Sequence, residues 1–160
     1  MKIGVISDTH FKPCLENCID DWILKAFEGV EMIFHAGDLT DLDLLNGLSI
    51  IAPTYAVKGN MDDFHPDLPY FREIVAEENF SIAISHLKNE AYGKKSPSCK
   101  MIIYGHSHIP EFVQEGGIWY LNPGSPSKPR GGSKPSVAIL NIINGIPEVE
   151  FKLAPPKADE

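Results

Sequence analysis

The chain opens with KIGVISDTH over residues 2–10, an apolar run of strand length that stops at side chains able to bind metal. The same pattern recurs after residues 32–36, 54–58, 82–85 and 101–104. In an open α/β sheet, side chains just beyond the carboxyl ends of the strands converge on one crevice although they are far apart in sequence. The sequence therefore predicts a polynuclear metal site built from seven candidate ligands: Asp8, His10, Asp38, Asn60, His86, His106 and His108.

Alternating strand and helix patterns fill the first sixty residues. They predict strands at 2–7, 32–35 and 54–57, separated by helices at about 15–27 and 42–48. Such alternation implies parallel strands joined by right-handed crossovers. From residue 71 onward strand patterns dominate, with hairpin signals at Gly116-Gly117 and Asn144-Gly145, and they predict a largely antiparallel sheet. The composition of residues 93–99 and 123–135 is typical of loops.

Length and charge narrow the class of protein. The 160 residues fit one domain, expected at 1–153, with a frayed tail at 154–160. A formal charge of −8 argues against broad binding to nucleic acid or anionic membranes. No apolar stretch reaches the length of a membrane span and the first run is too short for a signal peptide, so we expect a cytoplasmic protein. We interpret Cys14, Cys18 and Cys99 as reduced structural thiols.

Each candidate ligand has an ordinary alternative when it is taken alone. Asp8 could cap a helix, Asp38 and Asn60 could be turn residues, and His86 could be a structural histidine. The coincidence of all seven at strand ends favours metal binding. Two other histidines are expected to play different parts: His35 as a hydrogen-bonded core residue or a residue behind the ligands, and His65 as a solvated loop residue.

The motifs that carry the ligands resemble, in the same order, those of the calcineurin-like metallophosphoesterases: Asp8-Thr9-His10, Gly37-Asp38, Gly59-Asn60, His86, Gly105-His106-Ser107-His108 and Asn122-Pro123-Gly124-Ser125. The Met61-Asp62 pair and the short chain resemble the small prokaryotic phosphodiesterase branch related to Vps29. This resemblance implies an α/β fold of two packed mixed β-sheets flanked by helices, in a four-layer α/β/β/α sandwich.

The resemblance also implies a binuclear metal centre. Asp38 would bridge the two ions; Asp8, His10 and His108 would complete one site, and Asn60, His86 and His106 the other. Imidazole, carboxylate and amide ligands together suit transition metals better than calcium. We expect two divalent ions, with manganese first and nickel, iron, cobalt or zinc as alternatives.

The implied activity is metal-dependent hydrolysis of a small-molecule or nucleotide phosphodiester by a hydroxide that bridges the metals. Asp38, Asn60, His10 and Asp62 are the expected catalytic residues, and Asn60 and Arg130 the expected substrate contacts. Lys128, on the same loop as Arg130, is a second candidate for a phosphate contact, and a solvated loop charge is the alternative for both. The competing function is a non-catalytic interaction scaffold on the same fold, as in Vps29. A homo-oligomer is compatible with both.

Two positions depart from the family pattern. Many members carry a histidine directly after the Gly-Asn motif, where it can protonate the leaving oxygen, but Met61 stands there in this chain. The proton donor is therefore unassigned, with Asp62 and His10 as candidates. Leu87 stands where the family usually has glycine, so the position of His86 depends on how this larger side chain is accommodated.

Overall fold

A computed structural model of the protein describes residues 1–10, 19–39, 41–62 and 67–156. In chain order, the elements of this part of the protein are β1 (Lys2–Ile6), α1 (Asp21–Ala26), β2 (Met32–His35), α2 (Leu42–Ile51), β3 (Thr54–Ala56), β4 (Phe71–Glu77), β5 (Phe80–Ser85), α3 (Lys88–Lys94), β6 (Cys99–Ile103), β7 (Glu111–Glu115), β8 (Ile118–Asn122), β9 (Ser136–Ile143) and β10 (Ile146–Leu153).

The strands form two five-stranded sheets in the orders β10-β9-β1-β2-β3 and β4-β5-β6-β8-β7. Both sheets are mixed, since β1, β2 and β3 run parallel in the first, and β5, β6 and β8 run parallel in the second. The prediction of a largely antiparallel second half is therefore wrong, and β9 and β10 join the first sheet, with β9 antiparallel to β1. Both predicted hairpins are confirmed, by the pairs Glu115↔Ile118 and Ile143↔Ile146.

Alternate side chains of each strand enter different layers, as the two-residue period of a strand requires. Ile3 and Val5 belong to the apolar cluster that the two sheets share, whereas Ile6 packs with α1 and α2 on the outer face. Gly4 lets Phe27 lie directly on the first sheet, because a Cβ there would stand 2.9 Å from the ring. On the far side, α3 covers the second sheet through Ala91. The predicted α/β/β/α layering is confirmed.

The helices differ from the sequence prediction at their ends. α1 begins at Asp21, so residues 19 and 20 are not helical, and residues 15–18 lie outside the described part. α2 continues to Ile51, and its cap Asp41 accepts the Asp43 N–H at 2.8 Å. α3 was not predicted at all, and it takes in Gly93 and Lys94 of the expected loop.

No helix in the described ranges has the length and apolar character needed to cross a membrane. The cytoplasmic location, the homo-oligomer and the domain boundaries stay predictions. Of the expected tail, Ala154 donates its N–H to the Pro135 carbonyl at 2.9 Å, and residues 157–160 lie outside the described part. Cys99 is a buried free thiol. Cys14, Cys18 and His65 also lie outside the described residues.

Candidate metal centre

Side chains from both sheets meet at the edge formed by the carboxyl ends of β1, β2, β3, β5 and β6. Asp8 Oδ1 lies 3.2 Å from His108 Nε2 and 3.7 Å from His86 Nε2. Asp38 Oδ2 lies 3.3 Å from His86 Nε2 and 3.8 Å from His10 Nε2. Residues up to a hundred positions apart in sequence are thus brought into one cluster.

The ligand atoms fall into two overlapping groups, within each of which all atoms lie within 4.8 Å of one another. Asp8, His10 and His108 form the first group, which is the set expected to complete one metal site. Asp8, Asp38 and His86 form the second. Asp8 belongs to both groups, so the geometry offers it as a shared carboxylate beside Asp38, whose bridging role stays a prediction.

Asn60 and His106 lie at the margin of the second group. One terminal atom of the Asn60 amide can lie 3.1–3.2 Å from both Asp38 carboxylate oxygens and from His86 Nε2. Among these acceptors alone the atom would be the donating nitrogen, whereas around a cation it would be the oxygen. The His106 ring packs edge-on against His86, with centroids 5.3 Å apart, and its side chain is exposed. Both residues stay predicted ligands.

The environment of the Asp8 carboxylate indicates whether a cation fits this cluster. The residue is fully buried, and its Oδ2 accepts the Ser7 hydroxyl at 2.8 Å and the His106 N–H at 3.0 Å. Its Oδ1 has no hydrogen-bond partner among the described residues. A buried carboxylate oxygen without a donor costs about 1–3 kcal/mol or more. A divalent ion among these imidazole, carboxylate and amide donors would satisfy it, so the residues present fit the metal.

Two histidines hold their rings in a metal-binding orientation through backbone carbonyls. Nδ1 of His86 donates to the Ala36 carbonyl at 2.8 Å, and Nδ1 of His108 donates to the Lys128 carbonyl at 2.6 Å. Because a carbonyl only accepts, both Nδ1 atoms carry a proton and both Nε2 atoms face the cluster. Nε2 of His108 lies 3.4 Å from Nε2 of His10, so ring nitrogens from two loops point at one small space.

The charges of the cluster are coupled without a metal. Burial alone would lower the pKa of His86, but the Asp38 and Asp8 carboxylates raise it above its ordinary value. Burial would raise the pKa of Asp38, but His86 and the Met61 N–H lower it. The pKa of His10 is lowered, chiefly by burial and against the pull of the two carboxylates. Asp38 and His86 thus favour each other's charged forms, and a metal bound at Nε2 of His86 would take the place of a proton there.

Comparison with known proteins places this cluster in a family. The sequence model of the calcineurin-like phosphoesterase superfamily domain matches residues 1–145. The chain belongs to this superfamily. A protein from Methanothermobacter thermautotrophicus named "Probable metallophosphoesterase" is 36% identical over 152 residues, which cover 89% of this chain and 86% of the relative. The phosphodiesterase YfcE of Escherichia coli K12 is 25% identical over 164 residues, with 88% of each chain covered.

Solved structures of Vps29 from Entamoeba histolytica share the fold. One matches with a TM-score of 0.72 at 23% identity, covering 94% of this chain and 98% of that one. Another contains the wild-type protein complexed with zinc. The resemblance inferred from the motifs and the fold class are both confirmed. Membership of the superfamily implies divalent metal ions, whose identity stays a prediction.

The superfamily motifs place most of their ligands in an unfavourable backbone conformation. Five ligand positions have positive φ: Asp8 (54°), His10 (42°), Asp38 (58°), His106 (73°) and His108 (61°). Among the described residues, the other non-glycine positions of this kind are Asn79 and Asn144, which lie in turns. Such a conformation costs about 1–3 kcal/mol per residue and persists only where the surroundings impose it. The protein therefore holds these candidate ligands in a pre-organised arrangement.

The last two of the six superfamily motifs are joined by Asn122, to which sequence analysis assigned no role. Its buried amide donates to the Gly105 carbonyl at 3.1 Å and to the Ser107 hydroxyl at 3.0 Å. Gly105 itself leaves no room for a side chain, since a Cβ there would contact the Ser7 hydroxyl and stand 2.6 Å from Asp8 Oδ2. Asn122 therefore positions the loop that carries His106 and His108.

Two serines that follow Asn122 hold the first motif in the same way. Ser125 Oγ donates to the Asp8 carbonyl at 2.7 Å, and Ser127 Oγ donates to the Thr9 carbonyl at 2.7 Å. Sequence reasoning quoted Ser125 within its motif but assigned it no function, and it missed Ser127. Only its motif signalled Ser125 and nothing signalled Ser127, because their partners lie more than a hundred residues away in sequence.

Asp62 lies beneath two of the ligand loops. The residue is fully buried, and its Oδ2 accepts the N–H groups of Asp38 at 2.8 Å, Gly59 at 2.9 Å and Leu39 at 3.4 Å. These bonds join the loop after β2 to the loop after β3, which supports a positioning role. Its action as a proton donor stays a prediction.

The two departures from the family pattern occupy exposed places. Leu87 has a φ of −105° and is 44% exposed, so it needs none of glycine's freedom at this point. His86 keeps its 3.3 Å approach to Asp38. Met61 is 50% exposed at the rim, while its N–H donates to Asp38 Oδ1 at 2.9 Å. The side chain after the Gly-Asn motif is thus open to solvent beside the metal ligands.

The two candidate phosphate contacts are both exposed on the loop that borders the centre. The Lys128 N–H donates to Ser125 Oγ at 2.9 Å, and its charge adds to the burial that lowers the pKa of His10. The Arg130 N–H donates to the His108 carbonyl at 3.3 Å. The charge of Lys128 is thus coupled to a candidate ligand, and both cations stay candidates for the phosphate contact.

Proposed function

We propose that this chain hydrolyses phosphodiesters with two divalent transition-metal ions bound at the centre, manganese being the expected metal. The observation that carries the proposal is the buried Asp8 Oδ1, which lacks a hydrogen-bond donor and faces three imidazoles. Membership of the superfamily supports phosphoesterase chemistry, and the name of the E. coli relative, a phosphodiesterase, supports the diester.

The seven ligands would hold the two ions as the superfamily motifs imply, with one group around His10 and His108 and the other around His86. Two divalent ions bound there would supply an activated water and neutralise the negative charge that develops at phosphorus. The buried carboxylates form the floor of the site, and the exposed side chains of Asn60 and Lys128 border its mouth. We assign both to binding the phosphate oxygens, with Arg130 as the alternative cation.

Metal uptake is the first test of this proposal. After incubation with Mn²⁺ and removal of the excess, elemental analysis should find close to two ions per chain. Free metal at a hundred times the dissociation constant stabilises the folded state by about 2.7 kcal/mol, so the melting temperature should rise by roughly 5–10 °C. A chelator should reverse the shift. The surface variant Asp43→Asn should behave as wild type. The proposal is rejected if wild type takes up no metal and shows no thermal shift.

Removal of the rim cation should weaken the reaction without releasing the metals. We expect Lys128→Ala to lower kcat/KM for an aryl phosphodiester by about 10- to 100-fold, the effect of losing a charge-assisted contact worth about 1–3 kcal/mol. Arg130→Ala should have the smaller effect. Lys134→Ala removes an exposed charge from the same loop and serves as the control. A larger loss in Arg130→Ala than in Lys128→Ala, at saturating metal, would reverse the assignment.

The competing proposal is a protein-interaction scaffold of the Vps29 kind. The fold match supports it no better than it supports an enzyme, because a fold does not determine function. Every ligand position of this chain holds a side chain able to bind metal, which a scaffold does not need. Uptake of two ions with no hydrolysis of aryl monoesters or diesters would favour the scaffold.

A further inference from the structure

His35 is a buried histidine that joins two ligand loops and is not itself among the ligands. It ends β2 and is fully buried. Its Nδ1 accepts the Gly37 N–H at 3.1 Å, and its Nε2 lies 3.0 Å from Thr9 Oγ1. Thr9 stands between the ligands of the first loop, and Gly37 directly precedes the ligand of the second.

The hydrogen bonds define the protonation of this ring. A backbone N–H can only donate, so the Nδ1 that faces Gly37 must be bare and the proton of the neutral imidazole must lie on Nε2. The Nε2–H therefore donates to Thr9 Oγ1. Burial lowers the pKa of His35 from 6.5 to about 4, in agreement with a neutral ring at pH 7. Both ring nitrogens are occupied, which leaves neither available to a metal.

The backbones of the two loops are paired beside this ring. The Asp8 N–H donates to the Gly37 carbonyl at 2.9 Å, and the His10 N–H donates to the Asp38 carbonyl at 3.0 Å. The three ligands involved have positive φ, so the pairing must hold them in a conformation that they would not adopt alone. The His35 bridge closes this arrangement from the interior.

We propose that His35 and Thr9 are a positioning pair, which fixes the loop of Asp8 and His10 to the loop of Asp38 and so sets the spacing of the metal ligands. The inference rests on the proposed metal site. An apolar side chain could fill the same volume, whereas a buried imidazole costs free energy unless both nitrogens are hydrogen-bonded. The two bonds of His35 go to the two loops that the site needs to hold together.

Matched variants separate this role from simple packing. His35→Asn keeps an acceptor for the Gly37 N–H but cannot reach Thr9, and Thr9→Val removes the acceptor with little change of shape. Thr9→Ser retains the hydroxyl. Thr54→Val is the control, because Thr54 Oγ1 donates to the Ala52 carbonyl at the other end of the same sheet.

Two measurements are made on these proteins. In the metal-free protein, amide hydrogen exchange at Asp8 and His10 should be at least about tenfold faster in His35→Asn and Thr9→Val than in wild type, and unchanged in Thr54→Val. By calorimetry, Mn²⁺ should bind these two variants about 10- to 100-fold more weakly, as is typical when a group behind the ligands is lost. The Mn²⁺ affinity of Thr9→Ser should stay within about twofold of wild type. The double variant His35→Asn/Thr9→Val should bind Mn²⁺ no more weakly than the single variant with the lower affinity.

The two measurements distinguish failure of the His35–Thr9 pair from failure of the proposed function. If wild type binds no Mn²⁺, the proposed function fails, and exchange at Asp8 and His10 still decides whether the pair holds the loops. Unchanged exchange in both variants overturns the pair. Faster exchange with wild-type Mn²⁺ affinity also overturns it, because the spacing of the ligands would then not depend on the bond. If His35→Asn does not fold, Thr9→Val alone gives the same decision.

Discussion

Replacing Asp38 with asparagine should lower kcat/KM for an aryl phosphodiester by about 10²- to 10⁴-fold at limiting metal. The substitution removes a buried charge that contacts His86 and His10. Loss of a group that orients a ligand typically costs about 10- to 100-fold in metal affinity or activity, and a residue shared by two ions should cost at least that at each, which gives about 10²- to 10⁴-fold together. The fold should survive in the metal-free form, since asparagine preserves the shape and tolerates the left-handed backbone of this position.

The matching variant Asp8→Asn tells which carboxylate is shared by the two ions. Manganese titrations with elemental analysis should show the loss of both ions for the bridging residue and of one ion for the other. Asp43→Asn, an exposed position on α2, is the control for removing one negative charge. Turnover of Asp38→Asn equal to that of wild type under limiting metal would show that the bridging assignment is wrong.

The second large effect concerns the leaving group. With Met61 in place of the histidine that many superfamily members carry, the leaving oxygen has no assigned proton donor. The rate should then depend steeply on the acidity of the leaving group. General acid catalysis is typically worth about 10²–10⁴-fold, so alkyl diesters should fall behind activated aryl diesters by a deficit of that order.

A series of diesters with graded leaving-group pKa, measured at saturating metal, tests this expectation. Met61→His should flatten the dependence and raise the rate on alkyl diesters, because the side chain at this position reaches solvent at the rim. Met61→Leu is the control for the loss of the thioether. A flat dependence in wild type would show that an acid is present, and Asp62 and His10 would then be the residues to replace.

Local patterns predicted the features that depend on a few neighbouring residues. Apolar runs that stop at candidate ligands gave the strands around the site, and Asn144-Gly145 gave a hairpin, because such turns need positive φ at both central residues. The convergence of Asp8 and Asp38 followed from one rule about the ends of parallel strands. His86 joins them because the second sheet packs with the carboxyl end of β5 at the same edge. The family resemblance supplied the four layers.

Features that depend on long-range pairing could not be obtained in this way. The run at 136–143 is apolar on both faces, which indicates a central strand but does not say that β1 is its neighbour. α3 is short and contains Gly93, and it is stabilised by burial of Ala91 and by a 3.0 Å ion pair between Glu90 and Lys94. A helix of this length has little intrinsic stability, so tertiary contacts decide that it forms.

The residues that position the candidate ligands could not be identified from the sequence for the same reason. His35 was expected in the core or behind the ligands, and the structure shows that it is both, but its partner Thr9 is 26 residues away in sequence. Asn122 and Ser125 bond to groups 17 and 117 residues away. Hydrogen bonds of this kind leave no periodic signal in the sequence.

The left-handed backbone at five ligand positions sets a limit on protein engineering. Glycine would relieve the conformational cost at each of these sites, and substitutions that remove strain are a common source of added thermal stability. In the metal-free protein, selection for heat resistance alone would therefore favour replacement of the candidate ligands, whereas bound metal would oppose it by stabilising the folded state. Stability of the metal-free protein and metal binding compete at the same few residues, so substitutions that raise the first without harming the second should be sought in the helices and surface loops.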